Sequence, residues 1–90
     1  VLNISLITIL IMKRYKISDM VISRLVNPKT GKATKVDLEI LFDGSQQSIN
    51  NWVRYNEVDG PLTREAALRV IEYNLGLSRT EILSEVLITL

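Results

Sequence analysis

The sequence predicts an all-α domain: a compact bundle of about five short helices that includes a helix-turn-helix, with room for a short strand at the N-terminus. Three observations predict it. Apolar residues recur at helical spacing in successive stretches after Ser18. Ser or Thr stands just ahead of each stretch, where an N-cap belongs. Pro and Gly punctuate the intervals, at Asn27-Pro28, Asp43-Gly44, Asp59-Gly60-Pro61 and Gly76. Ninety residues with 47% apolar content suffice for one domain with a small core.

Ser18 caps the first helix, whose Met20, Val21, Leu25 and Val26 share a face. Proline disfavours a helical residue before it, so this helix stops at Asn27-Pro28, and residues 27–32 read as a turn or loop. Thr34 caps the second helix, with Asp37 three residues on and Leu38, Leu41 and Phe42 on the apolar side. Asp43-Gly44 breaks it. Ser45 caps a third helix, where Ile49, Trp52 and Val53 recur in phase, which makes Trp52 a core residue. After the turn at 59–61, Thr63 caps a fourth helix with Ala67, Val70, Ile71 and Leu75 inward. Gly76 supplies a left-handed C-cap. Ser78-Arg79-Thr80-Glu81 fits a capping box, and Ile82, Leu83, Val86 and Leu87 continue as a fifth helix. Tyr55 and Tyr73 read as half-buried spacers. One rival reading makes residues 20–41 a β-hairpin, because Val36, Leu38 and Ile40 alternate with charged residues.

Val1 to Met12 carries no charge and is too short to span a bilayer as a helix, which takes about 20 apolar residues. It lacks the basic leading region and the small-residue cleavage site of a signal peptide. It reads either as an extended strand or as translation from a start set too far upstream, with Met12-Lys13-Arg14 the ordinary beginning. The organisation is then an apolar segment over 1–12 and a helix-turn-helix domain over 13–90. The apolar stretch from Glu85 to Leu90 is able to pair or pack with the N-terminal one.

Composition narrows function by exclusion. There is no Cys and no His, which removes disulfides, thiol chemistry, the usual zinc clusters and the commonest general base. No pairing of groups makes an acid–base or nucleophile–base site, so neither an enzyme nor a cofactor is expected. Gly31-Lys32-Ala33-Thr34 is no phosphate-binding loop, since the leading Gly and a hydroxyl residue directly after Lys32 are missing. Lys29 and Lys32 read as loop charges for solubility or as contacts to a nucleic-acid backbone. Net charge is only +1, but residues 1–54 hold eight basic and four acidic residues against three and six in residues 55–90. A near-neutral chain thus offers an anion a mildly positive half.

Thr34 to Arg54 carries the functional signal. Two helices joined by a tight turn present the second to the DNA major groove while the first crosses the backbone. Leu38, Phe42, Ile49 and Trp52 supply the apolar lock between them. Gln46, Gln47, Ser48, Asn50 and Asn51 supply a polar, uncharged outer face. Such amides donate and accept together, as a bidentate contact to adenine N6 and N7 requires. Arg54, at the far end, suits a phosphate or a guanine. The recognition helix spans about residues 45–55. The plain alternative is that these amides are a solvated helix face.

The stretch from Leu41 to Trp52, with Gln46-Gln47-Ser48-Ile49 at its centre, resembles the helix-turn-helix of the lambdoid phage repressor and Cro family. The likeness continues through Gly60-Pro61, Ala66-Ala67, Gly76 and the capping box, and covers about residues 18–87. It implies that Gln46, Gln47 and Asn51 read bases, that Lys35 touches phosphate, and that Ser45 offers its hydroxyl or N–H to phosphate. Asp43 stands where the family usually has Gly, and Gly44 comes one place late. Glu39 stands where a small residue is usual, so its carboxylate has to turn outward. Ile40 and Leu41 are apolar for an exposed helix back and are expected against the N-terminal segment or a partner.

These readings together imply a small sequence-specific DNA-binding regulator of phage or prophage type. Its partner is double-stranded DNA, bound as a homodimer in the cytoplasm of a bacterial or host cell, away from membranes. Two rivals remain: a module docking on the transcription machinery, favoured by the weak charge, Glu39 and Asp43, and a DNA-packaging or replication accessory with little sequence selection.

Overall fold

A computed structural model describes residues 11–89, with the side chains of residues 11, 12 and 89 left aside. Its elements are β1 (Ile11–Ile17), α1 (Asp19–Val26), α2 (Pro28–Phe42), α3 (Gln46–Tyr55), a 3-10 turn (Pro61–Thr63), α4 (Glu65–Leu75), α5 (Arg79–Ile82) and β2 (Leu83–Thr89). The architecture is mainly helical with a two-stranded antiparallel sheet, β1 against β2. The all-α expectation therefore needs correcting at its ends, and the hairpin alternative for residues 20–41 is replaced by α1 and α2. Among the described residues, no helix is long and apolar enough to cross a membrane.

The helical core follows from the apolar spacing. Val21 and Leu25 of α1, Leu38 of α2, Ile49 and Val53 of α3, Ala67, Leu68 and Ile71 of α4 form one buried cluster with Ile17, Leu62 and Ile82. Met20 and Val26, expected on the inner face of α1, are exposed. Tyr55 and Tyr73 are exposed too, the latter 88%, which corrects their reading as half-buried spacers. Both sit in helices whose inner positions the aliphatic residues already fill.

The largest local correction is at residues 27–34, which are helix and not loop. Asn27 is the N-cap, its Oδ1 accepting from Lys29 N at 2.9 Å, and Pro28 occupies the first helical position, where a missing N–H costs nothing. Thr30 Oγ1 donates to Arg24 O at 2.6 Å, tying this first turn back to α1. Gly31 lies so close to α1 that a Cβ there would collide with the Leu25 carbonyl. Thr34 is thus an interior residue of α2, fully buried, and its Oγ1 has no hydrogen-bond partner. The Thr63 cap is likewise displaced: Thr63 ends the 3-10 turn with Oγ1 donating to Gly60 O, and Arg64 takes the N-cap position of α4.

The other caps fall where expected. Ser18 Oγ accepts from Val21 N, Gly76 adopts φ 65°, and Ser78 with Glu81 forms the capping box. The helix after that box is short, however. It ends at Ile82, and residues 83–89, expected as its continuation, form β2. The reason is non-local: β1 offers an unpaired backbone, and the register runs from Ile17↔Leu83 to Ile11↔Thr89. An apolar C-terminal stretch does pair with an N-terminal one, but the partner begins at Ile11. Residues 1–10, where the rest of the expected strand or start-site remnant falls, lie outside the described residues.

Asn56 and Asp59 each tie β1 to the helical body. Asn56, at φ 44° in the C-cap of α3, accepts from Ile17 N at 3.0 Å and donates Nδ2 to Ile17 O at 2.8 Å. Asp59 N donates to Tyr15 O at 2.8 Å, and its carboxylate pairs with Arg14 at 2.6 Å. On the opposite side Ser18 N donates to Ile82 O at 2.7 Å, joining the start of α1 to the foot of β2.

Candidate nucleic-acid interface

The elbow between α2 and α3 is built from the turn outward. Asp43 takes the left-handed conformation at φ 49°, which Asp adopts less readily than Gly. Gly44 N donates to Glu39 O at 3.0 Å, closing the end of α2. No Cβ clash holds Gly44 as glycine. Phe42 and Trp52 meet edge to face, centroids 5.1 Å apart and planes at 86°, and both rings pack on the core. Such a pair contributes about 0.5–1.5 kcal/mol beyond its burial. Leu38 and Ile49, both fully buried, complete the apolar lock expected from the spacing.

Locking α3 this way turns its other side to solvent. Gln46, Gln47, Asn50, Asn51 and Arg54 are all exposed, at positions that recur along one helical face. This face carries no acidic side chain. Ser48 is half-buried, and its Oγ lies 3.0 Å from Ser45 Oγ. Ser45 Oγ accepts from Ser48 N at 3.1 Å. The Ser45 hydroxyl thus caps α3 as an acceptor, and its O–H is left to donate either to Ser48 or outward.

Lys35 reaches across from α2, its Nζ 3.4 Å from Asn50 Oδ1. It stands between two shallow grooves. One, on its α1 side, is lined by Ile22, Val26, Asn50, Val53 and Arg54 as well. The other is lined by Pro28, Lys32, Val36, Glu39 and Gln46. Arg54 also lies over the Tyr55 ring, 5.7 Å from its centroid. Seven of the eight expected contact residues thus gather on or beside the outer face of α3, and Ser48 points partly inward.

Lys32, read as a loop charge or a backbone contact, is exposed on α2 and lines the outer groove with Lys35 and Gln46. Reading 27–32 as a loop hid the i, i+3 spacing that puts Lys32 and Lys35 on one flank of α2. The Asn27-Pro28 N-cap signature was the available signal. Glu39, expected to turn outward, does line the outer groove beside Lys35.

A second charged cluster lies at the junction of α4 and α5. Arg79 makes a bidentate pair with Glu65 at 2.7 and 3.0 Å and a further contact with Glu72, and Arg69 joins Glu65 at 3.2 Å. The Arg79 hydrogen bonds hold the Glu65 carboxyl down at about 2 and raise the guanidinium further. The Ser78 backbone and hydroxyl likewise lower Glu81. Every carboxylate here is matched by a cation or a cap, which suits a structural tie between α4 and α5. Comparison of the chain with protein-family models, with curated proteins and with solved structures yields no match.

Proposed function

We propose that this chain is a small sequence-specific DNA-binding transcriptional regulator, with α3 entering the major groove. The observation that carries the reading is the exposed amide face of α3. Gln46, Gln47, Asn50 and Asn51 project together, free of acidic neighbours on that helix, with Arg54 at one end and Lys35 alongside. Amides read base edges, and the flanking cations suit phosphates. The phage or prophage assignment draws on the resemblance to the repressor and Cro family alone. One such module reads few base pairs, so a homodimer on two half-sites is part of the proposal.

The test is selection of bound duplexes from a random pool, followed by titration of the selected site and a scrambled one at two salt concentrations. Specific binding predicts a preference of about 10³-fold or more over scrambled DNA, with affinity falling as salt rises. Equal binding to both duplexes supports a packaging or replication accessory. No binding at either salt supports the docking module, which Glu39 favours, since its carboxylate shares the outer groove with Lys35 and Gln46.

A further inference from the structure

The groove on the α1 side of Lys35 contains aliphatic residues that a DNA phosphate leaves unused. Ile22 and Val26 come from α1 at i, i+4 spacing, and Asn50, Val53 and Arg54 from α3 at i, i+3 and i+4, so each helix presents one stripe to it; Lys35 of α2 completes the lining. Val53 is buried at its base, while Val26 is 60% exposed. The groove encloses about 470 Å³, a volume in the range of small-molecule sites. Half of its lining is aliphatic, the other half is cationic or amide, and no carboxylate lines it.

Both cations are available to a ligand. Among the described residues neither Lys35 nor Arg54 is in an ion pair. Lys35 Nζ gives one of its three donors to Asn50 Oδ1, at 3.4 Å. Arg54 stands over the Tyr55 ring, a contact that engages a ring and no oxygen acceptor, so the guanidinium fork keeps its N–H groups.

The lining says what fits. A phosphate diester would satisfy Lys35 and Arg54 and leave Ile22, Val26 and Val53 without a partner. A protein partner occupies about 20–30 residues a side, several times the extent of this groove. An anion on a short aliphatic body satisfies both halves at once. Its carboxylate meets the fork of Arg54 and the point charge of Lys35, and its tail lies on the three aliphatic side chains.

We infer that the groove between α1 and α3 binds a small amphiphilic carboxylate, a monoanion with an aliphatic tail. Lys35, Asn50 and Arg54 also belong to the proposed DNA surface, so the same ligand displaces duplex and regulates the chain. The regulatory half rests on the DNA reading; the site itself rests on the groove.

The test is titration of the isotope-labelled full chain with octanoate, followed by amide and methyl NMR, with acetate and 1-octanol as controls. Octanoate gives saturable shifts at Ile22, Val26 and Val53 with a Kd of about 1 mM. Acetate, which lacks the tail, and octanol, which lacks the charge, each bind at least about tenfold more weakly. Val26→Asp sets a like charge on an exposed position and weakens octanoate at least about tenfold, with the far-UV circular dichroism unchanged. Should it disturb α1, Val26→Ser removes the contact without the charge and weakens binding about threefold. Lys35→Met and Arg54→Met each weaken it at least about threefold. Shifts that fail to saturate or fall outside the groove overturn the inference. So does acetate or octanol binding as well as octanoate, or a Val26→Asp chain that binds like the parent. Saturating octanoate lowers affinity for the selected duplex at least about fivefold in the parent and not in Val26→Asp; an unchanged affinity overturns the regulatory half. A chain that takes up octanoate as described but no duplex loses the proposed function and keeps this site.

Discussion

Replacing Asn56 by glycine separates two roles that one side chain performs. The backbone at residue 56 sits at φ 44°, which glycine accepts at no steric cost. What glycine removes is the carboxamide, and with it both hydrogen bonds to Ile17, whose side chain is fully buried. A buried or half-buried backbone group left without a partner costs about 1–3 kcal/mol. Two such groups, less the relief that glycine brings to the left-handed turn, give a loss of about 2–3 kcal/mol. A domain this size loses roughly 4–8 °C of Tm per kcal/mol, so the midpoint falls by roughly 10–20 °C. Asn56→Ala falls further, by about 1 kcal/mol, because alanine resists the left-handed conformation. Asn56→Asp keeps the acceptor for Ile17 N but sets a carboxylate against Ile17 O. Thermal melts of the three variants followed at 222 nm measure all of this. An Asn56→Gly protein melting within about 2 °C of the parent would refute the clamp.

Asp43→Gly should stabilise the chain by about 0.5–1 kcal/mol, because the turn already holds residue 43 at φ 49°; a lower melting midpoint contradicts this. Thr34→Val should raise stability by about 1 kcal/mol, since it removes a buried hydroxyl with no partner at nearly constant shape, and chemical denaturation reads the change. Glu65 is held at about 2, below its ordinary value, so its contribution is complete above the ordinary carboxylate pKa and lost as pH falls toward 2. Arg79→Met should flatten the fall in melting midpoint over that window; an unchanged pH profile would count against the network. Gln47→Ala should cost about 1–3 kcal/mol on the preferred duplex and relax selection at one or two base pairs, while Lys35→Ala weakens all duplexes alike and lowers the salt slope by about one. Unaltered affinity for both variants, with the fold intact, would make the amide face mere solvated surface.

Features that depend on residues close in sequence were legible beforehand. Ser18, Ser45, Gly76 and the Ser78–Glu81 box cap helices through hydrogen bonds spanning three or four positions, so local pattern suffices. The Leu38–Phe42 and Ile49–Trp52 spacing likewise foretold the elbow. Residues 27–34 were misread because Pro28 and Gly31 look like turn formers, yet a proline is welcome at a first helical position and Gly31 serves the close approach to Leu25. Leu83 to Thr89 was misread for a different reason. Its conformation is set by β1, far away in sequence, and no window around residue 86 contains that partner. The outer face of α3 was legible as a row of amides, but the place of Lys32 beside Lys35 emerged only once α2 began at Pro28.

The strand pairing also dictates an order of events in folding. Ile17 meets Leu83 only after the intervening chain has been drawn together, and a loop that long closes at a high entropic cost. The helices, whose bonds are local, form and pack first. That body brings Asn56 and the foot of β2 to Ile17, and the ladder then extends outward one pair at a time toward Ile11 and Thr89. Amide exchange should therefore be slower at Ile17, which Asn56 clamps to the helical body, than at residues of β1 farther from that body, while the amides of α2 and α4 exchange only when the whole domain unfolds.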